Sequence, residues 1–182
     1  LIANIPSYFL GVDAICVADY GKGFMTKRLA AAVIAYARTN NIPVVVDTKP
    51  KNIDFYHRCR LITPNESELL QMTATGTITE RAVALSRATE SNLLVTRGGL
   101  GMLYSDVASD TNNFSLPSFA TDVRDVSGAG DTVVAFAVIG LALGLPMKEV
   151  AKLANHAAAI AVSKPHTAIV TLAELIKKIT EA

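Results

Sequence analysis

Asp125-Val126-Ser127-Gly128-Ala129-Gly130-Asp131 is a glycine-rich turn that runs straight into a long apolar stretch, Thr132 to Leu145. An acid stands at the junction. The first amides of a helix lack intrahelical partners and carry the positive end of the helix dipole, so such a turn is a ready seat for a phosphate. A carboxylate beside that seat can take the proton of a hydroxyl that attacks the phosphate. The turn therefore points to phosphoryl transfer to an alcohol. The plain alternative is a glycine-rich helix start in which Asp131 only complements the dipole. Two features favour the chemical reading. The apolar helix behind Asp131 is expected to be buried, which places the acid at a core-facing end. Gly128 and Gly130 let a phosphate approach the backbone without a Cβ in the way.

Upstream lie short apolar runs that read as buried strands: Asp13–Asp19, Val44–Asp47, Leu61–Thr63 and Asn92–Thr96. Between them, helices are expected over Lys27–Asn40, capped by Thr26, over Asn65–Met72, and from a cap at Thr79 through Thr89. Ile53–Cys59 reads as a helical turn. Arg97–Gly101 turns the chain into Met102–Ser105, a hairpin partner for the fourth strand, and Phe114–Pro117 is a further strand. Ala129–Leu143, Lys148–Ser163 and Leu172–Glu181 are expected to be helical. This order gives an α/β fold with a mainly parallel sheet covered by helices. Ligands of such sheets sit beyond the carboxyl ends of the strands. The polar groups fall there: Asp19-Tyr-Gly-Lys22, Asp47-Thr-Lys49, Thr63-Pro-Asn65 and Thr96-Arg-Gly98.

Composition narrows the function classes. The 182 residues are 51% hydrophobic and 18% charged, enough for one domain with a substantial core. Seventeen basic and 16 acidic residues leave a formal net charge of +1, without the clustered Lys and Arg of a nucleic-acid footprint. Cys16 and Cys59 have no metal-like spacing and read as free or buried thiols of a reducing, cytoplasmic setting. The apolar run from Thr132 to Leu145 is shorter than the ~20 residues of a membrane span. Leu1 to Leu10 lacks the basic start of a signal peptide. Neither a nucleic-acid nor a membrane partner is expected.

Several residues allow two readings. Asn65 and Glu68 have the spacing of a helix cap and its capping-box partner. Asp19 is placed to cap the turn before Gly21. Lys22 and Lys49 follow strands at the ligand edge, where a lysine is either solvated or set against a phosphate. Thr96 to Gly99 is a strand-to-turn element. Asn155 lies among alanines in mid-helix, where asparagine is a mediocre former.

The chain resembles the ribokinase-like (PfkB) family of carbohydrate kinases from about Asp13 to Thr171. The opening turn is similar to that family's second signature, Asp-Thr-x-Gly-Ala-Gly-Asp, with Val126 and Ser127 at two variable positions. Asp19-Tyr-Gly-Lys-Gly23, Asp47-Thr-Lys49 and Thr63-Pro-Asn65-Glu-Ser-Glu68 most resemble the family's bacterial heptose-phosphate kinases. The resemblance implies a three-layer α/β/α sandwich. It also implies ATP-dependent phosphorylation of D-glycero-β-D-manno-heptose 7-phosphate at the anomeric hydroxyl, giving the 1,7-bisphosphate used for ADP-heptose. In that comparison Asp131 is the base, and the amides of Gly128, Ala129 and Gly130 form an anion hole. One such donor is worth on the order of 3 kcal/mol in the transition state.

The same resemblance gives further roles. Asn65 and Glu68 organise Mg²⁺ and phosphate, Glu68 through water, since Mg²⁺ keeps several of its waters. Thr96 and Gly98 line the ATP phosphates and ribose, Asn155 lies near the adenine, and Lys49 meets phosphate. Asp19 and Lys22 stand on the sugar-phosphate side. Asp125 and Ser127 mark a loop whose carbonyls hold a monovalent cation, K⁺. A homodimer is implied for the parent protein. Residues 1–182 are expected to be the C-terminal portion of one kinase domain, with the N-terminal part, most of the sugar pocket and the lid missing. The competing expectations are a catalytically silent nucleotide-binding or structural fragment, and a kinase of another sugar.

Overall fold

The computed structural model describes residues 1–181. One sheet of six strands follows the chain order: β1 (Ile15–Asp19), β2 (Val44–Thr48), β3 (Leu61–Ile62), β4 (Leu93–Thr96), β5 (Met102–Ser105) and β6 (Phe114–Leu116). β1 to β4 are parallel, and β5 and β6 add on as an antiparallel meander. The helices are α1 (Ile5–Tyr8), α2 (Lys27–Thr39), α3 (Glu66–Met72), α4 (Ile78–Thr89), α5 (Ala129–Ala142), α6 (Met147–Val162) and α7 (Leu172–Thr180).

Alternation along the strands separates two cores. Val44, Val46, Leu93 and Val95 pack with Val33 and Ala37 of α2 and with Ala82 and Leu85 of α4. Val45, Leu94, Met102 and Tyr104 face the other way, onto Val133 and Ala137 of α5 and Val150 and Ala154 of α6. Successive side chains of a strand point to opposite faces, so an unbroken apolar run such as Val44-Val45-Val46 is stable only between two helical layers. The expected α/β/α sandwich is the one formed.

Four local expectations are corrected. Thr77, not Thr79, caps α4: its hydroxyl accepts from the Glu80 amide at 3.3 Å, and the Glu80 carboxylate accepts from the Thr77 amide at 2.7 Å. The helical turn is a 3-10 helix over Pro50–Phe55 rather than Ile53–Cys59, because Pro50 supplies a preset φ at its first position. The first ten residues contain α1, where no element was expected. Finally, α5 lies on the sheet by one side only. Val133, Val134, Ala137 and Leu141 are buried, whereas Ala135, Ile139 and Leu143 are exposed. Asp131 is exposed too, so the acid stands at a lip and not at a core-facing end.

Candidate functional site

The carboxyl ends of the parallel strands and the start of α5 converge on a cleft of about 200 Å³. Tyr20 arrives from β1, Asp47 and Lys49 from β2, Asn65 and Glu68 from the end of β3, and Thr96 from β4. Gly128, Gly130 and Asp131 close it from α5. Most of the strand-end groups expected to share a site therefore do so; Asp19 and Lys22 do not. Lys22 is exposed and is not part of the lining. Asp19 is buried behind it. Asp47 and Tyr20 were not singled out as site residues, although both stand in the strand-end motifs.

The turn before α5 owes its shape to Gly128, which caps the helix with φ +76°. A Cβ there would also come within 2.9 Å of Thr167 Cγ2. The Ala129 amide donates back to the Val126 carbonyl at 3.2 Å. Of the three amides expected to form an anion hole, Ala129 is thus directed into the loop. The amides of Gly128, Gly130 and Asp131 have no partner among the described residues. Apart from its chain neighbours and its own helix backbone, nothing lies within 4 Å of a Cβ position on Gly130, which leaves room for a ligand. Asp125 ties the loop down. Its Oδ1 accepts from the Ser127 amide at 2.8 Å and its Oδ2 from the His166 amide at 3.1 Å. The Ser127 bonds, and then the His166 amide, hold this carboxyl below its usual range.

Charge in the cleft is unevenly distributed. Asp47, Glu68 and Asp131 are carboxylates, and among the described residues Lys49 is the only cation in the lining. Lys49 Nζ lies 2.7 Å from Glu68 Oε1, and that hydrogen bond raises the ammonium's proton affinity. Glu68 Oε2 accepts from the Asn65 amide at 3.1 Å while Asn65 Oδ1 accepts from the Glu68 amide at 2.8 Å. The capping box is therefore real, and it fixes Glu68 at the start of α3. Burial, and next the charge of Glu68, push the Asp47 carboxyl up. The Tyr20 hydroxyl donates to Asp131 Oδ1 at 3.4 Å, and the charge of Asp131 pushes that phenol up.

Of the two readings of Asp19, the structure shows the cap of the turn before Gly21. The residue is 4% exposed. Oδ1 accepts from the Gly21 amide at 2.9 Å, and Oδ2 accepts from Tyr56 at 2.7 Å, Asn52 at 2.9 Å and Thr48 at 3.4 Å. Both oxygens have protein donors, so the residue anchors the end of β1 and caps its turn. Burial alone would raise this carboxyl, but the four donors outweigh it and hold it low. A depressed native pKa adds stability above the unfolded value of about 3.9, lost as pH falls through the native value. Melting temperature is therefore expected to fall below about pH 4, and Asp19→Asn should flatten that acid slope. Scanning calorimetry between neutral and acid pH checks this; equal slopes in both proteins would refute it.

A second pocket, about 180 Å³, adjoins the cleft and shares Thr96 and Gly130 with it. Gly98, Met102, Val126, Val133, Ala158 and Val162 make it largely apolar, a slot suited to a planar base. Asn155 lines it, but its amide is engaged: Nδ2 donates to the Pro117 carbonyl at 2.7 Å and Oδ1 accepts from the Phe119 amide at 3.3 Å. The asparagine therefore clamps the wall of the slot. His156 stacks on Phe119 at 4.4 Å, and burial, followed by the charges of Lys178 and Lys152, lowers its proton affinity.

Among the described residues no group of three or more His, Cys, Asp or Glu side chains could cage a metal ion. The carboxylates of one cleft still suit Mg²⁺, which uses few protein ligands, keeps waters and takes phosphate oxygens.

The profile of the family described as pfkB family carbohydrate kinase matches residues 10–173. A protein from Rhodospirillum rubrum, described as bifunctional protein HldE, is 40% identical over 97% of this chain. The match covers 36% of that protein, so the chain spans about a third of this relative's length. A putative ribokinase from Agrobacterium tumefaciens superposes with a TM-score of 0.82 at 19% identity, over 97% of this chain and 58% of that one. A putative ribokinase II from E. coli, solved in complex with ATP and Mg²⁺, gives 0.76 at 16% identity, over 97% and 61%.

Proposed function

Because the chain belongs to the pfkB family of carbohydrate kinases, we propose that its cleft transfers the γ-phosphoryl group of ATP to a hydroxyl of a sugar phosphate. The observation that carries this is the start of α5. Asp131 stands beside the unpartnered amides of Gly128 and Gly130, at the seam between a charged cleft and an apolar slot. The slot takes the base, with Asn155 fixing its wall. Thr96 and Gly98 lead the phosphates toward α5. The acceptor hydroxyl gives its proton to an Asp131 carboxylate oxygen as it attacks. The Gly128 and Gly130 amides meet the charge that builds on the transferring group, and Ala129 joins them only if its bond to Val126 opens.

Glu68 and Asp47 would hold Mg²⁺ through its waters, and the ion would supply charge neutralisation on the phosphates. Lys49 serves the phosphates. Heptose 7-phosphate is the acceptor we favour, from the Asp19–Gly23, Asp47–Lys49 and Thr63–Glu68 motifs and the 40% identity to the HldE relative. The reading extends to Lys22 on the acceptor side, K⁺ on carbonyls of the Asp125–Ser127 loop, a homodimer, and a cytoplasmic setting. Among the described residues no helix is long and apolar enough to cross a membrane.

A second reading, nucleotide binding without transfer, is favoured by Asp19, which is buried with protein donors on both oxygens. Coupled ADP release with heptose 7-phosphate decides between them, run on this chain and on the full product of its gene. Turnover by either removes the silent reading for that protein. Absence of turnover by the full product with this sugar, but not with another sugar phosphate, removes the heptose assignment. By calorimetry this chain is expected to bind ATP with Mg²⁺ and to lose that binding when the slot is filled by Ala158→Trp.

A further inference from the structure

Glu68 has two carboxylate oxygens, and both have partners. Oε2 accepts the Asn65 amide, a bond that belongs to the start of α3. Oε1 carries the Lys49 ammonium. The Glu68 side chain is only 11% exposed and is fixed at both ends of its capping box, so it cannot swing to a new position. Lys49 differs: its side chain is 45% exposed on a flexible four-carbon stem. An ammonium and a metal-bound water offer the same thing to a carboxylate, an N–H or O–H donor backed by positive charge. Both donors would fit the lone pairs of Oε1, but an ammonium and a dication held that close repel each other, so each weakens the other's hold.

We infer that Lys49 and a hydrated divalent cation compete for Glu68 Oε1, so that the metal is admitted together with a nucleotide rather than ahead of it. This rests on the Mg·ATP reading of the cleft. The formal charge of the lining follows from its members: Asp47, Glu68 and Asp131 against Lys49 leave two negative charges. That field attracts a divalent cation, and the seated ammonium bars its best ligand. Incoming phosphates offer Lys49 a stronger partner than one carboxylate. As the ammonium moves to them, Oε1 is freed for a metal-bound water. Metal and nucleotide then raise each other's affinity, as coupled binding requires.

Mn²⁺ binding to this chain without nucleotide, followed by the electron paramagnetic resonance of the free ion, tests the competition. The wild-type chain is expected to bind Mn²⁺ weakly. Lys49→Met should bind it roughly tenfold more tightly, as should the uncharged Lys49→Gln. The gain should vanish in Lys49→Met/Glu68→Gln. Lys51→Met removes an equal charge from an exposed position on the 3-10 helix nearby and should change little. No gain in either Lys49 variant, or an equal gain in Lys51→Met, overturns the inference. Calorimetry of the wild-type chain with ATP and Mg²⁺ keeps the two questions apart. If it shows no binding the nucleotide reading fails; if it shows binding while Lys49→Met gains nothing for Mn²⁺, only the competition fails.

Discussion

Asp131→Asn is expected to cut phosphoryl transfer by the full gene product about a thousandfold, with Mg·ATP affinity unchanged or slightly higher. Asparagine has the same shape and still complements a helix start, so the N-terminal turn of α5 should persist. The charge of Asp131 on the helix dipole is worth only about 0.3–1 kcal/mol, which bounds the loss of stability. What disappears is a carboxylate oxygen able to take a proton. Asp131 is exposed at the lip of the cleft, and among the described residues its side-chain partner is the Tyr20 hydroxyl at 3.4 Å. A group so lightly engaged is available for chemistry, unlike Asp19. Removing one negative charge also lowers repulsion toward ATP. The three readouts are turnover, calorimetric affinity for ATP with Mg²⁺, and melting temperature. If turnover survives within tenfold, Asp131 is not the base. If affinity and melting temperature fall with turnover, its role is structural, as a complement to the helix dipole, and the plain reading of the opening turn stands.

The parallel part of this sheet was legible because two-sided burial leaves a distinctive mark. Val44-Val45-Val46 and Leu93-Leu94-Val95 are apolar without alternation, and each residue does pack into one of the two cores. Their polar ends identified the cleft for the same reason: a charged residue that stops such a run must leave the sheet at its edge. The cap of α4 was also written in the chain, as Thr77-x-x-Glu80, and the nearer Thr79 obscured it. The cap that Asp19 makes at Gly21 was legible, but its full surroundings were not. Its donors Asn52 and Tyr56 are 33 and 37 residues away, and no local pattern tells a carboxylate that awaits a ligand from one already surrounded. Tyr20 and Asp131, 111 residues apart, meet only in the fold. The Ala129 amide was assigned with its neighbours because a motif names residues but not the direction of each N–H. That direction follows from the left-handed backbone at Gly128.

The Arg97–Gly101 turn offers a graded test of what holds the apolar slot in shape. Gly101→Ala is expected to destabilise the chain by about 3 kcal/mol, lowering the melting temperature by roughly 10 °C. Gly101 has φ +84° and ψ −129°, a region closed to residues with a side chain. A Cβ there would also run into the Leu116 carbonyl and lie 2.5 Å from Pro117 C and 2.6 Å from Ser118 N. All three are backbone atoms and cannot rotate aside, so β5 and β6 must part where Met102 pairs with Leu116. Ser118 and Gly101 both line the slot, and Asn155 clamps Pro117 and Phe119 just beside it. ATP affinity should therefore fall along with stability. Its neighbours separate the two causes. Gly98 has φ +54° but open space around its Cβ position, so Gly98→Ala should cost about 1 kcal/mol from backbone conformation alone. Gly99 has neither a positive φ nor a nearby atom, so Gly99→Ala should be within about 0.5 kcal/mol of wild type. Denaturant unfolding of the three variants gives the order. Equal losses at Gly99 and Gly101 would mean that the meander tolerates the shift, and that the slot does not depend on the close approach of β6 to this turn.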